Sequence, residues 1–119
     1  MGANLAQAIL SRVNLHSATL HRTTLNGAYL ALADLRDTTL NDAKLRHAKL
    51  AHAQVSYAFL TGADLTEAGL RNANLTGSDL RDANLTSAIL TGANLSGARW
   101  PENSEVPEGW QRDDHGYLN

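Results

Sequence analysis

Cysteine is absent from the 119-residue chain, which excludes a disulfide framework, zinc ribbons and thiolate nucleophiles. Aromatic residues make up 5% of the sequence, with a single Phe, so a core built on large aromatic side chains is not expected. Neither sign of charge dominates, since ten Lys and Arg stand against twelve Asp and Glu. That balance argues against a strongly basic nucleic-acid binder and against an acidic mimic of nucleic acid. No stretch approaches the ~18 consecutive apolar residues of a membrane span. The start, Gly2-Ala3-Asn4-Leu5, lacks the regions of a signal peptide, and Ala6 stands where a myristoylation motif wants Ser or Thr. A soluble cytoplasmic protein with no membrane partner is the expectation, and the length suits a single domain.

What is present is apolar content of 43%, supplied mainly by Leu and Ala. Every fifth residue from 5 to 95 is Leu, except Val55. Two positions before each Leu sits a small residue, Ala except at Val13, Thr23, Thr38 and Ser78. The residue just before the Leu is often Asn or Asp, as at Asn4, Asn14, Asp34, Asp64, Asn74, Asp79, Asn84 and Asn94. On a helix five residues advance roughly 500°, which smears the Leu around the whole surface. On a flat strand an odd period sends alternate Leu to opposite faces. A chain that turns a corner every five residues instead directs Leu and Ala to a common axis and the other three positions to water. That is a solenoid.

Charges indicate the number of units per coil, because residues one coil apart stack about 4.8 Å from each other. Three charge pairs lie 20 residues apart, Arg22/Asp42, Lys44/Asp64 and Asp79/Arg99, and all are opposite in sign, as is His47/Glu67. A spacing of 15 opposes like charges at Asp64/Asp79 and Glu67/Asp82, which is unfavourable across a ladder. Four units per coil are expected.

The run from Ala63-Asp64-Leu65-Thr66-Glu67 to Ala93-Asn94-Leu95-Ser96-Gly97 resembles the pentapeptide repeat proteins. The resemblance implies an all-β fold, a right-handed four-sided β-helix of just under five coils with ladders of Leu and Ala inside. Residues 3–100 are expected to form the solenoid and 101–119 an acidic C-terminal capping tail. Trp100 at the end of the solenoid and Val106, Trp110, Tyr117 and Leu118 in the tail are available to cover the last coil, and Asp113-Asp114-His115-Gly116 reads as a turn. The N-terminal coil has no capping element of its own. Its Leu5, Leu10, Leu15 and Leu20 are expected to form a homodimer contact, the competing expectation being a preceding domain.

Chemistry is sparse. There is no G-x-S-x-G, no H-E-x-x-H and no phosphate-cradling Gly-rich loop, so no catalytic, cofactor or metal site is assigned and an enzyme is not expected. His16/His21 and His47/His52 are each five apart, hence on different sides of a corner, and read as solvated residues. The departure from the repeat lies between Ala43 and Ala63, a window without acid that holds Lys44, Arg46, His47, Lys49, His52, Tyr57 and Phe59. These residues form a girdle around the middle of the coil stack. Drift at free outer positions explains them, and so does a protein contact, since exposed aromatics beside cations are typical of interfaces. The function expected is a non-catalytic protein-interaction scaffold. Some members of the family that the sequence resembles bind DNA gyrase by imitating a DNA duplex. Here residues 1–99 carry nine Lys and Arg against seven Asp and Glu, which argues against that role. Direct nucleic-acid binding through the girdle and an accessory biosynthetic role are further alternatives.

Overall fold

A computed structural model describes residues 2–119. Each five-residue unit is an extended triplet of small residue, outer residue and Leu, followed by a two-residue corner. The corner is a β-turn closed by a hydrogen bond from the next small residue to the preceding Leu, as from the Ala8 amide to the Leu5 carbonyl at 3.0 Å. Its second residue has a positive φ in every unit, for instance 59° at Gln7 and 68° at Gly27, which is the pattern a type II turn requires. The turns change the chain's direction every five residues, and this keeps all the Leu on the inside.

The coils stack in parallel with a register of 20 residues. Four ladders result, running through residues 4–24–44–64–84, 9–29–49–69–89, 14–34–54–74–94 and 19–39–59–79–99. We call them the Asn4, Ile9, Asn14 and Thr19 ladders. From Leu5 to Leu80 the amide at the Leu position donates to the coil above, as Leu25 does to Lys44 at 2.7 Å, and from Thr24 to Arg99 the outer residue donates to the coil below, as Lys44 does to Thr23 at 3.0 Å. The result is a β-solenoid whose interior is a continuous column of Leu and Ala, with Leu25 through Leu80 and Val55 at 3% exposure or less. The hydroxyls of Thr38 and Ser78, buried in place of Ala, reach the carbonyls of Leu15 and Leu75 and so carry no unmet hydrogen bond.

The repeat's preference for Asn or Asp has a local cause. At all eight of these positions named above, the side-chain Oδ1 accepts the amide two residues later, at 3.0–3.2 Å. That amide belongs to the first corner residue and is not used between coils. The side chain therefore supplies a partner that the solenoid's own register does not.

The ends differ from the middle. In the first coil Leu5, Leu10, Leu15, Leu20 and Val13 are only half-buried. At the other end the chain leaves the repeat at Trp100 and Pro101, makes the turn Asp113–Tyr117, and returns antiparallel over Arg99. The Leu118 amide bonds to Ala98 and its carbonyl accepts from Gly97, so Leu118 enters the interior column with 1% exposure. Trp100 is buried and holds the tail through Nε1 to the Glu105 carbonyl, and Arg112 clasps the Pro101 and Ser104 carbonyls. Leu85 and Leu90 stay half-buried, facing a cleft of about 1070 Å³ between the last coil and the tail.

Candidate interaction surface

Charge pairing follows a different rule from the one expected. Lys44/Asp64 and Asp79/Arg99 do lie in register on the backbone. Their carboxylates nevertheless bond elsewhere, Asp64 to Arg46 at 3.4 Å and Asp79 to Arg81 at 2.6 Å. Arg99 lies over the Tyr117 ring instead, 5.1 Å from its centre. Arg46 reaches Asp64 from the coil below, whereas for Asp79 the cause is the corner: an Arg two residues after an acid swings back over a carboxylate already oriented by its backbone hydrogen bond. Arg36 grips Asp34 in this way through two bonds of 2.9 and 2.8 Å. That guanidinium hydrogen bond is the main reason the Asp34 carboxyl is lowered to about 2. Asp79 is held below the usual carboxylate range chiefly by Arg81. Partial burial works against the charge of Asp64, yet hydrogen bonds from Thr66 and Arg46 outweigh it and keep its carboxyl low. His47 pairs with Glu67 at 3.0 Å, as its 20-residue spacing anticipates.

The girdle residues are all exposed, but the structure divides them. Lys44 is on the Asn4 ladder, Lys49 on the Ile9 ladder and Phe59 on the Thr19 ladder, with Arg46, His47, His52 and Tyr57 at the corners between. Of these, Tyr57 and Phe59 come together at one edge, 57% and 50% exposed. The Tyr57 ring rests over Gly77, where a β-carbon would come within 2.5 Å of it, so glycine there is what admits the ring.

A second set of exposed apolar side chains runs along the stack rather than around it. The Ile9 ladder presents Ile9, Tyr29 and Ile89, with exposures of 83%, 44% and 40%. Lys49 folds back over Tyr29, its amine 4.6 Å from the ring centre, and Leu32 at the adjoining corner is 46% exposed. A period of five does not reveal this set. Taking every twentieth residue does, because the Asn14 ladder then reads Asn, Asp, Gln, Asn, Asn where this one reads Ile, Tyr, Lys, Gly, Ile.

No group of three His, Cys, Asp or Glu among the described residues is arranged to hold a metal ion. The ionisable residues lining the C-terminal cleft are Glu105 and Glu108, joined there by Trp100, Trp110 and Val106. Among the described residues no helix is long and apolar enough to cross a membrane.

Comparison with known proteins agrees with this architecture. A solved pentapeptide repeat protein, Rfr23 from the cyanobacterium Cyanothece 51142, is 34% identical with a TM-score of 0.53, over 82% of this chain and 63% of that one. HetL from Nostoc sp. strain PCC 7120, a pentapeptide repeat protein involved in heterocyst differentiation regulation, is 28% identical over 89% of this chain and 65% of its own, with a TM-score of 0.38. QnrB1, a plasmid-mediated fluoroquinolone resistance protein, is 17% identical over 96% of this chain and 63% of its own, with a TM-score of 0.46. The chain thus spans just under two thirds of each relative's length. No curated protein sequence matches it. The family model for pentapeptide repeats matches in eight copies over residues 1–37, 28–66 and 63–99. With a match over most of its length and a 20-residue β-register throughout, the chain belongs to the pentapeptide repeat family.

Proposed function

We propose that this protein is a non-catalytic scaffold that binds another protein through the outer surface of its coils, in the cytoplasm. The observation that carries the reading is the exposure of large apolar side chains on the outside of the coils, Tyr57 with Phe59 above all. Each is an aromatic anchor with few rotatable bonds, so little entropy is lost when a partner covers it. Lys44, Arg46, His47, Lys49 and His52 belong to the same contact zone in this reading. Affinity capture from a native lysate, comparing the wild type with Tyr57→Ala/Phe59→Ala, tests it. Loss of a recovered partner is expected, and equal recovery by the double variant refutes the girdle as the contact.

The finer architecture belongs to the same proposal. Residues 3–100 form a right-handed, four-sided β-helix of just under five coils, and residues 101–119 cap its C-terminal end. The four ladders support the first part and the burial of Leu118 and Trp100 supports the second. Half-exposure of Leu5, Leu10, Leu15 and Leu20 supports a homodimer joined through the N-terminal coils, since pairing would bury both apolar ends and both strand edges.

Modulation of DNA gyrase by duplex mimicry is the runner-up. The positive balance of residues 1–99 opposes it, and a gyrase supercoiling assay decides, with unchanged supercoiling at micromolar protein ending that reading. Nucleic-acid binding through the girdle requires affinity that falls steeply with salt. An accessory biosynthetic role requires a substrate-dependent activity.

A further inference from the structure

We infer that the Ile9 ladder is a docking surface for an acidic polypeptide surface with apolar side chains at its centre. The inference rests on the scaffold reading and names both a different side of the coil and the chemistry of the partner. Three independent features meet there.

The first is a row of apolar side chains where the fold does not need them. The other three ladders carry hydrogen-bonding outer residues at nearly every level, and the Asn14 ladder carries nothing else. Covering such a row strips water from polar groups, whereas covering Ile9, Tyr29 and Ile89 releases it from apolar ones. Leu32 extends the patch although it sits at a corner with φ of 61°, a conformation that disfavours any side chain and leaves this one 46% exposed. A bulky apolar residue that is both strained and exposed contributes nothing to the fold that Asn or Gly would not do better.

The second feature is a notch. Gly69 stands between Lys49 and Ile89, and its backbone does not require glycine. Its φ is not positive, and an added β-carbon would meet one carbonyl oxygen at 4.0 Å, an ordinary contact. Since Lys49 folds toward Tyr29, away from Gly69, the gap in the row stays open to receive a side chain from outside.

The third is charge. Arg12 and Arg71 lie at the same corner as Leu32, without a carboxylate partner among the ion pairs of the described residues, and Lys49 is held by an aromatic ring alone. Glu67, the one acid on this ladder and its two corners, is already matched by His47. The surface is thus apolar along its axis and cationic around it, and its complement is acidic around an apolar centre. A nucleic acid would satisfy the cations but leave Ile9, Ile89 and the notch unmatched.

Three probes test this with the full chain: a random Glu/Tyr copolymer, poly-L-glutamate and duplex DNA, each titrated at low and at physiological salt. The copolymer is expected to bind about tenfold more tightly than polyglutamate, with the difference persisting at physiological salt. Ile9→Ser/Ile89→Ser is expected to remove that difference, and Lys49→Glu/Arg71→Glu to weaken both polymers. Gly69→Val is expected to weaken the copolymer while the melting temperature stays unchanged or rises, which a merely structural role for the glycine would not produce. Wild-type affinity in both the isoleucine variant and Gly69→Val overturns the inference, as does absence of copolymer binding or DNA binding as tight as the copolymer's. Loss of binding only in Tyr57→Ala/Phe59→Ala also overturns it, yet leaves the scaffold reading standing with its contact at the edge of the opposite side.

Discussion

At fourteen corners a residue bearing a β-carbon holds a φ between 56° and 64°, where five other corners use glycine. Each such residue costs about 1 kcal/mol relative to one that tolerates the left-handed region. Asn tolerates it best among side chains, through local hydrogen bonds. Replacing Leu32 by Asn is therefore expected to stabilise the protein by about 0.5–1 kcal/mol, raising the melting temperature by about 2–8 °C in a calorimetric scan. A fall in melting temperature would show that Leu32 contributes packing its exposure does not reveal. Asp34 makes a second case. Its folded carboxyl lies near 2, below the usual value of 3.8, so the stability it contributes is fully present above the unfolded value and is lost as pH falls toward 2. Asp34→Asn keeps the hydrogen bond to the Arg36 amide but removes the ion pair. The variant should unfold at lower urea than the wild type at pH 7, and the two should converge as pH falls from about 5 to about 2.

The unit of structure is a single turn, three extended residues and two at the corner, and it is stable only against its neighbours above and below. This makes the worth of a Leu depend on its level in the stack. Leu45, with coils on both sides and 1% exposure, should lose about 2–5 kcal/mol on truncation to Ala. Leu10 has a coil on one side and is half-buried, so its truncation should cost markedly less. Chemical denaturation of the two variants compares them, and equal losses would contradict nearest-neighbour stabilisation. The tail obeys the same logic. Leu118→Ala removes an apolar side chain from the end of the column and is expected to cost about 2–4 kcal/mol. Amide exchange at Gly97 and Leu118, whose bonds join tail to coil, should quicken first.

For the molecule as a whole, the stacking rule that builds the interior also leaves an apolar surface wherever a coil lacks a neighbour. The first coil is such a surface, with a half-buried Leu on each of its four sides and Arg12 and Arg22 as its formal charges. If two copies meet there, sedimentation over a range of concentrations gives a dimer for the wild type and a monomer for Leu5→Lys, because a buried ammonium without a partner is strongly unfavourable. A monomer in both cases removes the dimer, and a dimer indifferent to Leu5→Lys moves the contact to another surface.

The interior was legible from the chain alone because its pattern is local. A Leu every fifth residue, with a small residue two before it, can point inward only if the chain turns at each unit, and opposite charges 20 apart already indicated the length of a coil. The exposed edge of Tyr57 and Phe59 was legible for the same reason, being two residues apart in sequence. Other features depend on what lies above, below and across a corner. The tertiary structure alone decided that Asp64 and Asp79 pair with Arg46 and Arg81 rather than with Lys44 and Arg99. It also showed that the repeat's Asn and Asp satisfy corner amides, and that Leu118 completes the interior column from 18 residues beyond the last unit. The Ile9 ladder was hidden because its members are 20 residues apart and become neighbours only through the inter-coil hydrogen bonds. A five-residue period determines which side chains are inside, whereas the identity of outer neighbours is fixed by the register between coils.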